Sequence, residues 1–149
     1  MTFKEIVYQQ YQQLVIDKII SLENSLKELN DSAKNETKST AGDKHETALA
    51  MLQIEQENTR KKLSEAVEQK TQLERINIHQ KSDSIIKGSL IKTDKACFFL
   101  SIALGKISIG ETTITALSPQ SPLGIKLLGL KIYQTVEMNS IQYIIQKIE

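Results

Sequence analysis

From Phe3 to about Lys34 the chain contains neither proline nor glycine, and its apolar residues recur in alternating steps of four and three. Tyr8, Val15, Ile19, Leu22, Leu26, Leu29 and Ala33 mark the series, and Gln12 fills one position in it. That spacing belongs to a helix burying a narrow seam against a second helix. A helix of this extent is about 45 Å long. The pattern stops in a polar stretch from Asn35 to Gly42 and resumes at Asp43, running to about Ile78. Its second seam is Ala48, Leu52, Thr59, Leu63, Ala66, Lys70 and Leu73, with Thr59 and Lys70 as polar residues able to fix register. So short a connection favours two antiparallel neighbours. The expectation is an antiparallel coiled-coil hairpin over residues 1–80 with its tip at 35–46.

The texture changes after the hairpin. His79 to Lys87 loses the seam and reads as a linker. Ser89–Thr93, Cys97–Leu104, Lys106–Ser108 and Thr112–Leu117 are short, apolar or β-branched, and bounded by glycine or polar residues. These are strand signals. Ser121-Pro122 can open a short helix with proline in its first turn, and Gly129 is placed to stop it. Leu130–Val136 and Ile141–Ile148 then read as two strands joined by a turn at Met138, Asn139 and Ser140, with Ile141, Tyr143, Ile145 and Lys147 on one face. Residues 84–149 are thus expected to form a small α+β domain with a short helix on an antiparallel sheet, burying a modest core.

Composition narrows the functional classes. With 19 basic and 18 acidic residues the chain lacks the excess of a dedicated nucleic-acid binder. The balance is uneven: residues 1–83 carry −2 and residues 84–149 carry +3. Absence of tryptophan and scarcity of other aromatics argue against a stacking platform for single strands. One cysteine, Cys97, makes no internal disulfide, and His45 and His79 lie too far from it for a zinc pattern. Its apolar surroundings mark it as a small buried hydrophobe. No leader pattern is visible at the N-terminus, and the longest apolar run, Ala96 to Leu104, is well short of the roughly 20 residues of a spanning helix. A cytoplasmic location without membrane partners is expected. Arg60, Lys61 and Lys62 read as a solvated helix face.

The chemistry-bearing residues lie between the two helical patterns. Asp43 and Glu46 are three apart, which on a helix puts both carboxylates on one face. Exposed paired carboxylates suit a hard divalent cation. The same spacing makes a capping box, in which Asp43 accepts from the first free backbone N–H groups and Glu46 reaches back to the N–H of Asp43. Both roles are compatible. His45 is a further candidate ligand beside them. No catalytic triad, phosphate-cradling glycine loop or paired Cys/His ligand set is present, so a self-contained enzyme is not expected.

The layout resembles the bacterial Gre transcript cleavage factors (GreA/GreB), whose tip reads Gly-Asp-x-x-Glu-Asn-Ala. Gly42, Asp43, Glu46 and Ala48 match that motif, and Thr47 stands in place of the asparagine. Ala50 stands where the family carries an aromatic residue. Ser118-Pro119, the short helix from Leu123 to Gly129 and the two closing strands follow the family's C-terminal order, so the resemblance covers nearly the whole chain. It implies an FKBP-like C-terminal domain and RNA polymerase as partner, with the RNA 3′ end reached only indirectly and no independent sequence-specific DNA binding. It also implies that Asp43 and Glu46 help hold a catalytic Mg²⁺ shared with polymerase, with none held by the isolated protein. The factor would stimulate the polymerase's own hydrolysis of backtracked RNA. A non-cleaving regulator of polymerase and a plain coiled-coil interaction module are the alternatives.

Overall fold

The computed structural model describes residues 1–37 and 42–149, with side chains for 1–36 and 46–149. Two long helices come first, α1 (Phe3–Thr37) and α2 (Gly42–Glu74). Six strands and one short helix follow: β1 (Leu90–Thr93), β2 (Cys97–Leu100), β3 (Gly105–Ile109), β4 (Thr112–Leu117), α3 (Pro122–Leu127), β5 (Thr135–Met138) and β6 (Ile141–Ile148). The class is α+β. The chain divides into two compact units, Leu14–Thr71 and Met1–Gln13 with Gln72–Glu149. The division falls inside both helices, so the start of α1 and the end of α2 belong with the sheet.

The helical unit follows the seam read from the sequence. Val15 is buried, and Ile19, Leu22, Leu26, Leu29 and Ala33 are half-buried at the same alternating steps. On α2 Leu52, Thr59 and Leu63 are half-buried and Ala66 is fully so. Lys18 Nζ reaches Gln69 Oε1 at 3.4 Å, and Gln56 Nε2 donates to Asn30 Oδ1 at 2.8 Å. Advancing along α1 from Lys18 to Asn30 moves the partner back along α2 from Gln69 to Gln56, which is the antiparallel order. One seam assignment fails: Lys70 is exposed and Gln69 is half-buried in its stead. An ammonium is costly to take from water, whereas an amide can be buried once hydrogen-bonded. Arg60, Lys61 and Lys62 are all exposed, as expected of a solvated face.

Both helices also differ from their expected ends. α1 continues past Lys34 to Thr37, and α2 stops at Glu74 rather than near Ile78. Past Glu74, Ile76 and Ile78 are buried while Asn77 and His79 are exposed. Burial at every second residue suits extended backbone, because a helix cannot put i and i+2 on one face. Nor is 79–87 a mere linker. Ile85 is 1 % exposed, its N–H donates to Leu130 O at 2.8 Å, and Ser84 bridges to Lys131.

In the second unit the sheet order is β3-β4-β2-β1-β6-β5. It is mixed rather than antiparallel throughout, because β2 and β4 run parallel. β3 turns back onto the outer edge of β4, leaving β4's other edge free to lie beside β2 in β2's own direction. All four residues of β2 are buried. Successive side chains on a strand face opposite ways, so a strand buried throughout has both faces covered. Phe98 joins a core of Ile85, Ile91, Leu100, Leu117, Leu127, Val136 and Ile145. On the opposite face Phe99 stacks on Tyr11 with ring centres 5.9 Å apart and meets Tyr8 edge-on at 6.3 Å.

α3 forms as its punctuation dictates. Ser121 Oγ accepts from Gly124 N–H at 3.0 Å, Pro122 occupies the first turn, and Gly129 takes a left-handed φ of 83° just beyond the last turn. The strand expected from Leu130 to Val136 does not form as such. Tyr133 adopts φ 73°, Gln134 N–H donates to Lys131 O at 3.1 Å, and pairing starts only at Thr135. The Met138-to-Ile141 hairpin turn is as expected, with Asn139 and Ser140 both at positive φ. In β6 a bulge breaks the expected alternation. Lys92 pairs with Lys147 but Thr93 with Ile145, so Gln146 is the extra residue and Ile148, not Lys147, packs on the core with Ile145.

Candidate functional site

The sequence places its candidate site, Asp43 and Glu46, where the second helical pattern begins. α2 starts at Gly42, so both residues fall in its first turns. Anionic side chains are favoured there by the unsatisfied N–H groups and the positive end of the helix dipole. The Glu46 side chain is exposed. Those of Asp43 and His45 lie outside the described residues, as does the capping role assigned to Asp43. Glu46 is about 35 Å along α2 from Gln69, by the rise of a helix. Thr47 and Ala50 are exposed beside it and Ala48 is half-buried. Solvent therefore reaches Glu46, Thr47 and Ala50 on the outer surface of the helix.

Two carboxylates supply at most four oxygens, and a hard divalent ion takes six or more ligands. Among the described residues no cluster of three or more His, Cys, Asp or Glu is placed to hold a metal. A cation at Asp43 and Glu46 would need the rest of its coordination from water or from another molecule.

Cys97 is 8 % exposed, and burial pushes its thiol up, which keeps it protonated. Phe98 meets Tyr143 edge-on at 5.5 Å. No described helix is long and apolar enough to cross a membrane.

Two polar features were missed by the sequence reading. One is the Asn30–Gln56 hydrogen bond between the helices. Gln56 completes the four-and-three spacing between Leu52 and Thr59, so the spacing itself could have found it. The other is a capping box at the start of α1. Glu5 N–H donates to Thr2 Oγ1 and Thr2 N–H donates to Glu5 Oε2, both at 3.1 Å. Its Thr-x-x-Glu signature is explicit in the sequence. Comparisons with known protein families, with curated proteins and with solved structures return no match.

Proposed function

We propose that this chain is a Gre-type transcription elongation factor that enters the secondary channel of RNA polymerase and stimulates cleavage of backtracked RNA. The observation that carries the reading is the exposed Glu46 carboxylate in the opening turns of a 33-residue helix paired antiparallel with α1. An α+β unit follows with a short capped helix and two closing strands, in the order of the family's FKBP-like domain. A stiff helical pair with acids near its connection suits delivery of ligands to a metal that another molecule mostly holds. When bound, Mg²⁺ stabilises charge on the attacking and leaving oxygens. Asp43 and Glu46 would hold and orient that ion, and the paired helices would place them. The protein is thus an accessory factor, with the hydrolytic centre belonging to polymerase.

The test is cleavage of RNA in stalled, backtracked complexes. Asp43→Ala and Glu46→Ala should each abolish stimulation while polymerase pull-down stays largely unchanged. Cleavage by the double variant at the wild-type rate would overturn the assignment. A second reading, a regulator that occupies the channel without cleaving, is favoured by the exposed Thr47 and Ala50, where the family presents an asparagine and an aromatic residue. It expects polymerase binding, altered transcription and competition with an authentic cleavage factor, with no cleavage by the wild-type protein.

A further inference from the structure

The unit that carries the sheet has a second place with ligand chemistry, independent of the tip. A cleft of about 650 Å³ opens beside the start of α1 and is lined by residues of that unit alone. Small-molecule sites typically run from about 300 to 1,000 Å³. Phe3, Leu90, Ala96 and Cys97 give it an apolar wall, and Lys92 and Lys147 project from neighbouring strands. These two lysines are direct cross-strand partners in β1 and β6. Like charges directly opposite each other destabilise a sheet. The β6 bulge creates the juxtaposition. Were Gln146 paired regularly in the ladder, it would oppose Lys92 and Lys147 would share the core-facing side of Ile145; with Gln146 bulged out, Lys147 shares the face of Lys92. Bulges are a recurrent means of re-aiming a side chain at a site.

Of the nearby carboxylates, Glu149 and Asp94 are committed, and Glu111 lines the cleft as an exposed side chain. Glu149 accepts an ion pair from Lys147 at 3.0 Å and also faces Lys4, a lysine only 7 % exposed, whose amine it holds up against the stronger downward effect of burial. Asp94 accepts from Lys95 at 2.9 Å and from the Ile144 N–H at 2.8 Å, and those donors hold its carboxyl below the usual range. Lys92 makes no ion pair among the described residues. The charged residues lining the cleft are Lys92, Lys95, Lys147, Glu111 and Glu149, a net of +1. That balance suits one negative group and disfavours a polyanion.

The geometry points to a binding site for a small organic monoanion, its acidic group between Lys92 and Lys147 and its apolar body against Phe3, Leu90 and Cys97. Anilinonaphthalene sulfonate has this chemistry, and the neutral phenylnaphthylamine is its uncharged counterpart. Titration of the full chain, followed by fluorescence and by amide NMR, should show saturable binding of the anion with shifts centred on Lys92, Cys97 and Thr112. The neutral compound should bind about tenfold more weakly or less, a difference of about 1.4 kcal/mol. Lys92→Met, alone and with Lys147→Met, should weaken the anion about tenfold, and Lys92→Arg should keep most of its affinity. An unchanged thermal melt establishes that each variant is folded. Equal affinity in the folded Lys92→Met variant, or shifts centred on the exposed Ile125 and Tyr133 instead, would overturn the assignment.

Discussion

Tyr11 joins the start of α1 to the edge of the sheet through one hydroxyl. The ring is fully buried, and its Oη lies 2.7 Å from Gly105 O and 3.0 Å from Ile114 O. Burial pushes the phenol up to about 12 against the opposing pull of the Ala116 N–H. A phenol whose folded pKa lies above its unfolded value of 10.0 holds its proton longer in the native state. The unfolded chain then binds fewer protons, so stability falls as pH rises from about 10 to about 12. Tyr11→Phe should reduce that alkaline slope and cost about 1–2 kcal/mol at neutral pH, by leaving the buried Ile114 carbonyl without the hydroxyl it shares with Gly105 O. Urea melts at neutral and alkaline pH measure both effects. A slope undiminished in Tyr11→Phe would assign it to Tyr8 and Cys97, which burial also pushes up.

At the scale of elements, the helical pair shows specificity set against stability. Its seam has few large apolar residues on the α2 side, and the Asn30–Gln56 hydrogen bond occupies one half-buried layer. A polar pair in such a seam is satisfied in one register only, and it stabilises less than leucines would. Replacing both, Asn30→Leu with Gln56→Leu, should raise the melting temperature, by about 1–3 kcal/mol at the transition on the scale of buried apolar side chains. It should also relax the choice of partner, visible as self-association in sedimentation. A double variant that melts lower and stays monomeric would show that the pair contributes stability in place of specificity. Among the strands, β2 shows what burial on both faces does to a sequence. Cys97-Phe-Phe-Leu100 has no polar alternation, because α3 and the core lie on one side and Tyr8 and Tyr11 on the other.

At the scale of the whole molecule, the sheet unit is built from distant parts of the chain. Val7 and Tyr11 from its beginning and Leu73, Ile76 and Ile78 from its middle are buried with it. A fragment of residues 84–149 should therefore lack a cooperative melt and show poorly dispersed amide resonances, since Phe99 would lose both tyrosines. A chain in which a short flexible link replaces residues 14–71 should keep a dispersed spectrum, because Tyr8 Oη already bonds Leu73 O at 2.6 Å across that join. Equal folding of the two would show that the helical ends are dispensable to the sheet. The heptad steps, the breaks at Gly and Pro, the capped α3 and the limits of β4 and β6 were all legible in sequence, because each depends on neighbours within a few residues. Asp43 and Glu46 can be read as a pair from their spacing alone, while the Asp43 side chain lies outside the described residues. The parallel pairing of β2 with β4, the bulge that turns Lys147 toward Lys92, and the recruitment of Tyr11 were not. Each depends on which distant segment supplies the opposite face or the neighbouring edge, and local spacing carries no record of that. Local periodicity determined the elements; tertiary packing alone decided which lysines meet and which aromatic rings close the core.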